Sequence, residues 1–336
     1  MKQNLSISGL SDMSKPCSVI SLFSGIGSRL IGYGYAGFHT KIAVGTYEIA
    51  KPLFLKNFPS TKYITIPIQS LSPEFLLTES KLEVTELDIL DISPPASFFE
   101  LSRSGQAEEQ KALWRKTLEI IKFIQPKVFI LYFPKRLLLK RTQLLINEFQ
   151  ELLQFCDYRV HHEFLNSKHY NVPQEREYMI IMAVRNDLEI KPTFPEALPN
   201  MVCTKDVLED IMHAPIELKM NPSREAMLSL FKPGITEDEV DDILSENNLS
   251  VQKGNYKRDK WEEPYYELKK TFTRPIHPKI DRVLSVWEAM RIQTIPDDFH
   301  IALNPSFNWQ SICASSPPLF IYHIGKTIKE DILDRY

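Results

Sequence analysis

The first half of the chain alternates short apolar runs with longer stretches in which apolar residues recur at helical spacing. Five of the runs are rich in branched side chains and predict strands: SVISLF, KIAVGTYE, ELDILDIS, KVFILYF and EYMIIMAV. The stretch LWRKTLEIIKFIQ, around Trp114 to Gln125, predicts the clearest helix between them. Strands that alternate with helices are typical of a parallel sheet covered on both faces. The pattern therefore predicts an α/β fold up to about Arg185.

The pattern changes after Asn186. A proline-bearing link, IKPTFPEALP, leads into a less regular region that contains an acidic helix-like run, ITEDEVDDILSE, and a basic and aromatic stretch, KGNYKRDKWEEPYY. Helical spacing returns from Arg274, in DRVLSVWEAMRIQTIPDDF. We therefore predict a first domain over residues 1–185, a small second domain over 186–274, and a C-terminal segment over 275–336 that returns to the first domain.

Composition narrows the classes of function. With 336 residues, 43% of them hydrophobic, the chain predicts an ordinary soluble globular protein. No segment approaches the ~18 consecutive apolar residues of a membrane helix, so we expect no membrane partner and a cytoplasmic location, nucleoid-associated in a bacterium or nuclear in a eukaryote. The net charge of −3 means that any contact with nucleic acid is local. The four scattered cysteines predict reduced thiols and no metal site.

A glycine-containing loop is the first candidate for chemistry. VISLFSGIGSRL places Gly25 and Gly27 between a predicted strand and a predicted helix, where a nucleotide-like ligand can lie against the backbone. The same two glycines could simply form a tight turn. Glu48 ends the next predicted strand, where such folds often keep an acid for ribose hydroxyls. Together these residues indicate a site for a nucleoside cofactor, and the absence of a following Gly-Lys-Ser/Thr argues against a nucleotide hydrolase.

Several segments carry a resemblance to one family. SLFSGIGSRLIGYGYAGF resembles the first motif of DNA cytosine-5 methyltransferases, and YEIAKPLFLKNFP resembles the segment after it. Later motifs follow in the family's order: Pro94-Pro95 for its Pro-Pro-Cys loop, PKVFILYFPKRLL for its strand ending in Glu-Asn-Val, VPQEREYMIIMAVR for its Gln-x-Arg-x-Arg strand, and VWEAMRIQTIPDDF and ICASSPPLFIYHIG for its last two motifs. The resemblance implies a Rossmann-like methyltransferase domain that depends on S-adenosylmethionine, with a small target-recognition domain.

The resemblance also implies which residues contact S-adenosylmethionine. The cofactor-binding candidates are Phe23, Gly25, Ile26, Gly27, Glu48 and Pro94. Two family features are missing, because Pro67 stands where an acid is expected after the third strand, and Cys313-Ala314 replaces Gly-Asn before the final Pro-Pro. We therefore expect S-adenosylmethionine to bind with weakened affinity.

The catalytic positions differ more strongly from the family. The family attacks cytosine C6 with a cysteine thiolate, and the matching position here is Ala96. Its glutamate, which protonates or hydrogen-bonds N3 of the base, corresponds to Tyr132. Gln174 and Arg176 remain as base-pocket candidates, whereas the second arginine of that motif is Tyr178. No catalytic residue is intact, so the resemblance implies a chain without activity of its own.

Basic residues form two candidate DNA contacts, one after the predicted strand KVFILYF and one beside Tyr256 and Trp261. The residues are Lys135, Arg136, Lys253, Lys257, Arg258 and Lys260. Basic side chains among aromatic ones suit phosphate contacts with some stacking, although a solvated charged face explains each cluster equally well. The acidic run 237–242 would repel phosphate, so we expect it to face solvent or a protein partner.

Three functional hypotheses follow. The favoured one is a non-catalytic, DNA-binding or regulatory subunit that assists an active cytosine-5 methyltransferase, in DNA methylation or restriction-modification. The partner would be that active subunit or a second copy of this chain. The alternatives are a methyltransferase completed by residues of a partner subunit, and an interaction scaffold with an empty cofactor pocket.

Restoring the nucleophile alone is expected to leave the chain inactive. Ala96→Cys supplies the thiol, but Tyr132 still leaves the N3 acid missing. Transfer of a labelled methyl group from S-adenosylmethionine to a cytosine-containing duplex measures this, with the unsubstituted chain as the baseline. Methylation above that baseline by the single variant would mean that the acid is dispensable here.

Overall fold

The computed structural model describes residues 6–7, 17–46, 48–94, 106–135, 140–213, 225, 227–247, 258–269, 275–302 and 304–336. The chain forms two compact units. The larger contains residues 7–166, 177–197 and 318–336, and the smaller contains 1–6, 167–176 and 198–317. This division differs from the predicted domain boundaries, because residues 275–317 belong to the smaller unit and the chain returns to the larger one only at Pro318.

A seven-stranded mixed sheet forms the centre of the larger unit, in the order β3-β2-β1-β4-β5-β7-β6. The strands are β1 Cys17–Leu22, β2 Phe38–Gly45, β3 Lys62–Thr65, β4 Ile89–Ile92, β5 Val128–Pro134, β6 Tyr158–Asn166 and β7 Glu177–Arg185. The five predicted strands are present, whereas β3 and β6 were not predicted. Strands β1 to β5 pair in parallel, as expected, whereas β7 runs antiparallel to both β5 and β6, so the sheet is mixed. Only residues 167–176 join β6 to β7, too few for the crossover that a parallel pair needs.

The described α-helices are α1 Ser28–Tyr35, α2 Lys51–Asn57, α3 Pro73–Ser80, α4 Gln106–Ile124, α5 Lys140–Phe155, α6 Thr204–Leu208, α7 Glu237–Glu246, α8 Val286–Ile292, α9 Pro305–Ala314 and α10 Pro318–Asp331. Helices α1 to α5 and α10 belong to the larger unit, and α6 to α9 to the smaller. The predicted helix around Trp114 lies within α4, and the acidic run forms α7. No helix in the described part of the chain is both long and apolar enough to cross a membrane.

The sheet has two different faces because side chains alternate along each strand. One face is apolar: Leu90, Leu131 and their neighbours pack against α3, α4 and α5 in the main core. The alternate residues Ser21, Asp91 and Tyr132 lie on the other face, the side on which α1 supplies their hydrogen-bond partners.

Helix α1 packs closely against α10. A Cβ on Gly32 would lie only 2.4 Å from the carbonyl oxygen of Pro318 and 2.6 Å from Cβ of Ile321. The two backbones therefore approach at a distance that only glycine allows at this position.

The smaller unit has its own apolar cluster, formed by Leu228, Phe231, Val240, Leu244 and Ile276. Two of its helices begin with a capping box. The hydroxyl of the first residue accepts from the backbone N–H of the residue three positions later, and the glutamate side chain of that later residue accepts from the backbone N–H of the first. Thr236 and Glu239 cap α7, and Ser285 and Glu288 cap α8.

Glu288 is also the centre of a buried polar network in the smaller unit. Arg282 Nη1 donates to Glu288 Oε2 at 2.7 Å, the Ser285 amide donates to the same oxygen at 2.8 Å, and His277 Nε2 lies 3.3 Å from Oε1. Burial opposes ionisation of this carboxyl, but these partners outweigh it and lower its pKa from 4.5 to about 2. Glu288 is therefore a carboxylate that stabilises the fold in its charged form.

The network predicts how acid affects the unfolding of this unit. Because the folded-state pKa lies below the unfolded one, the stabilisation is complete above pH 4.5 and is lost as the pH falls toward 2. It amounts to about 3 kcal/mol. Urea unfolding across this pH range should show the free energy of unfolding of the unsubstituted protein approaching that of Glu288→Gln. Parallel pH curves for the two proteins would contradict this assignment.

Candidate functional site

The loop between β1 and α1 has an unusual backbone. Gly25 and Gly27 have φ values of 57° and 90°, and Phe23 has 56°. Such left-handed values suit glycine but are rare for a bulky residue. The Ser24 amide donates to the carbonyl of Val44 on the neighbouring strand β2 at 2.9 Å, and the Gly27 amide donates to that of Ser24 at 3.0 Å. The loop is therefore tightly folded and tied to β2.

The two glycines of the loop have different surroundings. A Cβ on Gly27 would lie 2.3 Å from the ring of Phe58, so packing within the unit requires glycine there. Gly25 is exposed, and no atom lies within 4 Å of the place of its Cβ. Gly25 therefore leaves open backbone that a ligand can approach, while Gly27 and the buried Ile26 belong to the packing of the loop.

A shallow pocket lies at the carboxyl ends of β1, β2 and β3. Its lining residues are Leu22, Phe23, Val44, Gly45, Thr46, Ile66 and Ile68. The mainly apolar walls, with the ring of Phe23 among them, suit a flat aromatic base.

The acid of the predicted cofactor site lies just after β2. Glu48 is exposed and begins a short 3₁₀ helix, Glu48–Ala50. Burial and the charge of Glu48 together raise the pKa of Tyr63 to about 12. The carboxylate is therefore within electrostatic reach of a phenol on β3 and is open to solvent, as an acceptor for sugar hydroxyls must be.

Two prolines follow strands β3 and β4, which are separated in the sheet by β2 and β1. Pro67 is exposed and precedes the 3₁₀ helix Ile68–Ser70, so this position offers no carboxylate to a ligand in the pocket. Pro94 is buried after β4, and Ala96 lies outside the described residues.

A buried ion pair lies beneath the glycine loop. Arg29 Nε donates to Asp91 Oδ2 at 2.9 Å, and the Ser21 hydroxyl donates to the same oxygen at 2.6 Å. Arg29 Nη2 donates to the carbonyls of Leu22 and Phe23, at 3.1 and 3.2 Å. Arg29 is 5% exposed and Asp91 is fully buried. The guanidinium thus joins strand β4 to the end of β1.

Tyr132 belongs to the same network. Its hydroxyl lies 2.9 Å from that of Tyr33, which donates to Asp91 Oδ1 at 3.3 Å. Since Tyr33 gives its proton to Asp91, Tyr132 is the donor in the tyrosine pair. Burial, with the nearby charge of Asp91, raises the pKa of both phenols well above 10, so both are neutral donors. The side chain that the motif resemblance aligns with a glutamate is therefore a neutral group directed into the interior.

Tyr178 lies on the same face of the sheet as Tyr132. In the antiparallel pairing of β5 and β7, Tyr132 is opposite Ile180 and Tyr178 is opposite Pro134. The Tyr178 ring stacks on Phe320 of α10, with centroids 5.0 Å apart and an interplanar angle of 23°. Tyr132 and Tyr178, which the motif resemblance aligns with charged residues, are thus both buried aromatic rings.

Gln174 and Arg176 lie in the smaller unit and contact its backbone. Gln174 donates to the side-chain oxygen of buried Gln293 at 2.8 Å and accepts from the Leu268 amide at 2.9 Å. Arg176 Nη1 donates to the carbonyls of Cys313 and Ser315, at 3.0 and 3.1 Å. Both side chains therefore hold segments of this unit together, and the base-pocket role expected for them remains a prediction.

The described basic candidates all have carboxylate partners. Lys135 pairs with Glu177 at 2.8 Å, and Lys260 pairs with Glu263 at 2.7 Å, in both cases at the surface. Arg258 is buried and donates to Asp281 at 2.8 Å as well as to two backbone carbonyls. As a phosphate contact it would first have to leave these partners. Arg136, Lys253 and Lys257 lie outside the described residues.

The cysteines and the other side chains that can bind metals give no further candidate site among the described residues. All four cysteines are free, and burial raises the pKa of the thiols of Cys17, Cys156 and Cys203, which makes the thiolate scarcer. Among the described residues, no group of three or more His, Cys, Asp or Glu side chains is placed to hold a metal ion.

Comparison with known proteins identifies the family. Residues 17–330 match the family of C-5 cytosine-specific DNA methylases. The chain belongs to this family. Its members use S-adenosylmethionine, and their substrate is DNA.

Two bacterial and archaeal relatives show the extent of the likeness. The chain is 25% identical to the type II methyltransferase M1.HphI of Haemophilus parahaemolyticus, over 92% of this chain and 86% of that protein. It is 27% identical to M.MthTI of Methanothermobacter thermautotrophicus, over 94% and 97%. The similarity to C-5 methylases thus spans nearly the whole chain.

Solved structures have the same fold. Spodoptera frugiperda DNMT2, in a triple mutant, has a TM-score of 0.67 at 15% identity, covering 94% of this chain and 100% of that one. The Entamoeba histolytica methyltransferase EhMeth has a TM-score of 0.63 at 16% identity, covering 96% and 99%. The Rossmann-like methyltransferase fold expected from the sequence is confirmed.

The network under the loop was not predicted from the sequence, although a signal for it exists. Ser21 and Asp91 interrupt two apolar strands, and a charged residue there is rarely buried without a partner. That partner, Arg29, lies only two residues beyond Gly27, the last glycine of the C-5 methylase loop. The pairing of Asp91 with Arg29, 62 residues apart, is visible only in the fold.

Restoring the family's acid alone is expected to destabilise the larger unit. Tyr132→Glu buries a second carboxyl in the chain of hydrogen bonds that ends at Asp91, at a cost of about 3 kcal/mol or more. Tyr132→Phe is the matched control and should cost only about 1 kcal/mol, because Tyr33 keeps its bond to Asp91. Urea unfolding compares the two variants. Equal stabilities would mean that this site accommodates a carboxyl.

Proposed function

We propose that this C-5 methylase homologue does not methylate cytosine by itself and acts as a DNA-binding or regulatory subunit beside an active cytosine-5 methyltransferase, in DNA methylation or restriction-modification. The observation that carries the proposal is the buried hydrogen bond from Tyr132 to Tyr33. It leaves a neutral, inward-facing phenol where the chemistry needs a carboxylic acid, and Ala96 supplies no thiol. Cytosine held by this chain would meet neither of the two groups that activate it.

The pocket beside the glycine loop fits part of S-adenosylmethionine. Phe23, Ile66 and Ile68 would pack on the adenine ring, and exposed Glu48 would accept from the ribose hydroxyls. Gly25 leaves room for the ligand against the backbone. In a catalytically active methylase this cofactor supplies the methyl group. We infer weakened binding, because Pro67 provides no acceptor for the adenine amino group at the edge of the pocket.

DNA contact would come from surface lysines. Lys135 and Lys260 are exposed, and their ion pairs with glutamates are of the surface kind that contributes little stability. A phosphate can therefore compete for either ammonium group. Arg136, Lys253 and Lys257 extend the two clusters in the sequence. Arg258 is left out of the proposed contact, because its guanidinium is buried among protein partners. A subunit with this role would be found in the cytoplasm, on the nucleoid, or in a nucleus.

The proposal predicts an effect on a partner rather than activity alone. The test mixes the purified chain with a C-5 cytosine methyltransferase from the same genome and follows methyl transfer to a duplex. We expect no transfer by the chain alone and a change of at least about 5-fold in the partner's kcat/KM, in the range of typical coupling between sites. An unchanged partner rate, for every such enzyme of the genome, would contradict the regulatory role.

Two matched glycine-to-asparagine variants test whether the effect on the partner requires the cofactor. Gly25→Asn keeps the left-handed backbone, which asparagine tolerates, and fills the open space beside the pocket. Gly37→Asn makes the same change at a φ of 88°, in the turn after α1. Loss of calorimetric binding of S-adenosylmethionine in the first variant alone would support a cofactor-dependent subunit. An effect on the partner without any cofactor binding would favour the scaffold with an empty pocket.

One observation favours an enzyme completed by its partner, namely the open backbone at Gly25. A partner that keeps its nucleophilic cysteine but carries a bulky residue in its own glycine loop discriminates this alternative, because it supplies the thiol and cannot use its own cofactor site. Our proposal predicts no methylation by its mixture with this chain. Methylation by the mixture, and not by either chain alone, would show that the two chains build a working site together.

A further inference from the structure

Arg29 turns back beneath the loop that precedes its own helix. It lies in the first turn of α1, yet its Nη2 donates to the carbonyls of Leu22 and Phe23 at the end of β1. Phe23 has a φ of 56°, a conformation that a bulky residue keeps only where its surroundings hold it. The guanidinium is the group that holds the carbonyl of this strained residue.

Asp91 fixes the guanidinium in turn. Both its oxygens accept from Arg29 Nε, at 2.9 and 3.2 Å, and the Ser21 hydroxyl donates to it. Ser21 and Asp91 are register partners on adjacent strands, so the carboxylate has a rigid base. Because the pair is buried, Arg29 cannot leave Asp91 without exposing an unpaired charge to a low-dielectric interior. The backbone of the loop after β1 thus depends on a residue of β4.

The strained residue is also a wall of the pocket. Phe23 lines it together with Val44, Gly45 and Ile66, so the position of its ring depends on the backbone that Arg29 holds. We propose that Arg29 and Asp91 are positioning residues: they form a clamp that orders the glycine loop in advance for a nucleoside ligand, without contacting that ligand. The identity of the ligand, S-adenosylmethionine, rests on the proposed function, whereas the ordering of the loop does not.

The first test removes both charges together. Arg29→Met with Asp91→Leu leaves no unpaired buried charge, so the fold is expected to persist. The Phe23 carbonyl loses the Arg29 donor, and the Leu22 carbonyl keeps only the Ser93 amide, at 3.4 Å. Asp88→Asn is the matched control: Asp88 precedes β4, accepts from Ser18 and Lys127, and takes no part in the loop.

Hydrogen exchange of the ligand-free protein measures directly whether Arg29 and Asp91 order the loop. The amides of Ser24 and Gly27, which donate within and beside the loop, should exchange about 10-fold faster in the double variant and at the original rate in Asp88→Asn. Unchanged exchange at both amides in a folded double variant would overturn the clamp.

Arg29→Lys is the second variant. It keeps a charge beside Asp91 but lacks the forked donor, and the same acceleration is expected.

Calorimetric titration with S-adenosylmethionine tests the consequence for binding. We expect the double variant to bind about 10-fold more weakly than the unsubstituted protein, since the loop must then be ordered by the ligand, and Asp88→Asn to bind equally well. Equal affinities of the unsubstituted protein and the double variant would overturn the positioning role. No binding by the unsubstituted protein would overturn the cofactor part of the proposed function, while faster exchange would still support the clamp.

Discussion

The buried ion pair of Arg29 and Asp91 is the interaction on which the arrangement of the larger unit depends. Removal of one member of such a pair typically costs about 3–5 kcal/mol, because the other charge is left in a low-dielectric interior. Buried Asp91 therefore requires a charged partner, which is Arg29. Arg29 in turn fixes the backbone of the loop by donating to the carbonyl of Phe23. Tyr33 and Tyr132 complete the network from the other side. One carboxylate thus links the glycine loop, through Tyr33, to Tyr132 on β5.

Much of the fold could be predicted because the strands of the sheet core appear as apolar runs in the sequence. Five strands, the helix around Trp114 and the family itself followed from local pattern and motif order. Strand β3 is only four residues long, and β6 is mostly not fully buried and contains several polar residues, so neither stands out as an apolar run. The antiparallel direction of β7 depends on how the chain returns from β6, which hydrophobicity along a strand does not encode.

The candidate site was predicted less completely, for a different physical reason. Motif matching identifies which residue stands at a position, but a side chain's role depends on its partners in space. Gln174 and Arg176 match a base-binding motif, yet here they hydrogen-bond within the smaller unit. Arg258 belongs to a basic cluster in the sequence and to a buried ion pair in the structure. The partners in these cases lie from 23 to 139 residues away, beyond the reach of local pattern.

The ring of Phe58 against Gly27 bears on how glycine motifs are interpreted in evolution. A glycine such as Gly27, against which an aromatic ring packs, is required for folding whether or not the loop still binds a ligand. It would be retained long after ligand binding was lost, so its presence does not indicate whether the loop still binds one. The exposed Gly25, two residues earlier, is not held by packing. Among homologues, its substitution would therefore be the earlier sign that ligand binding has been lost.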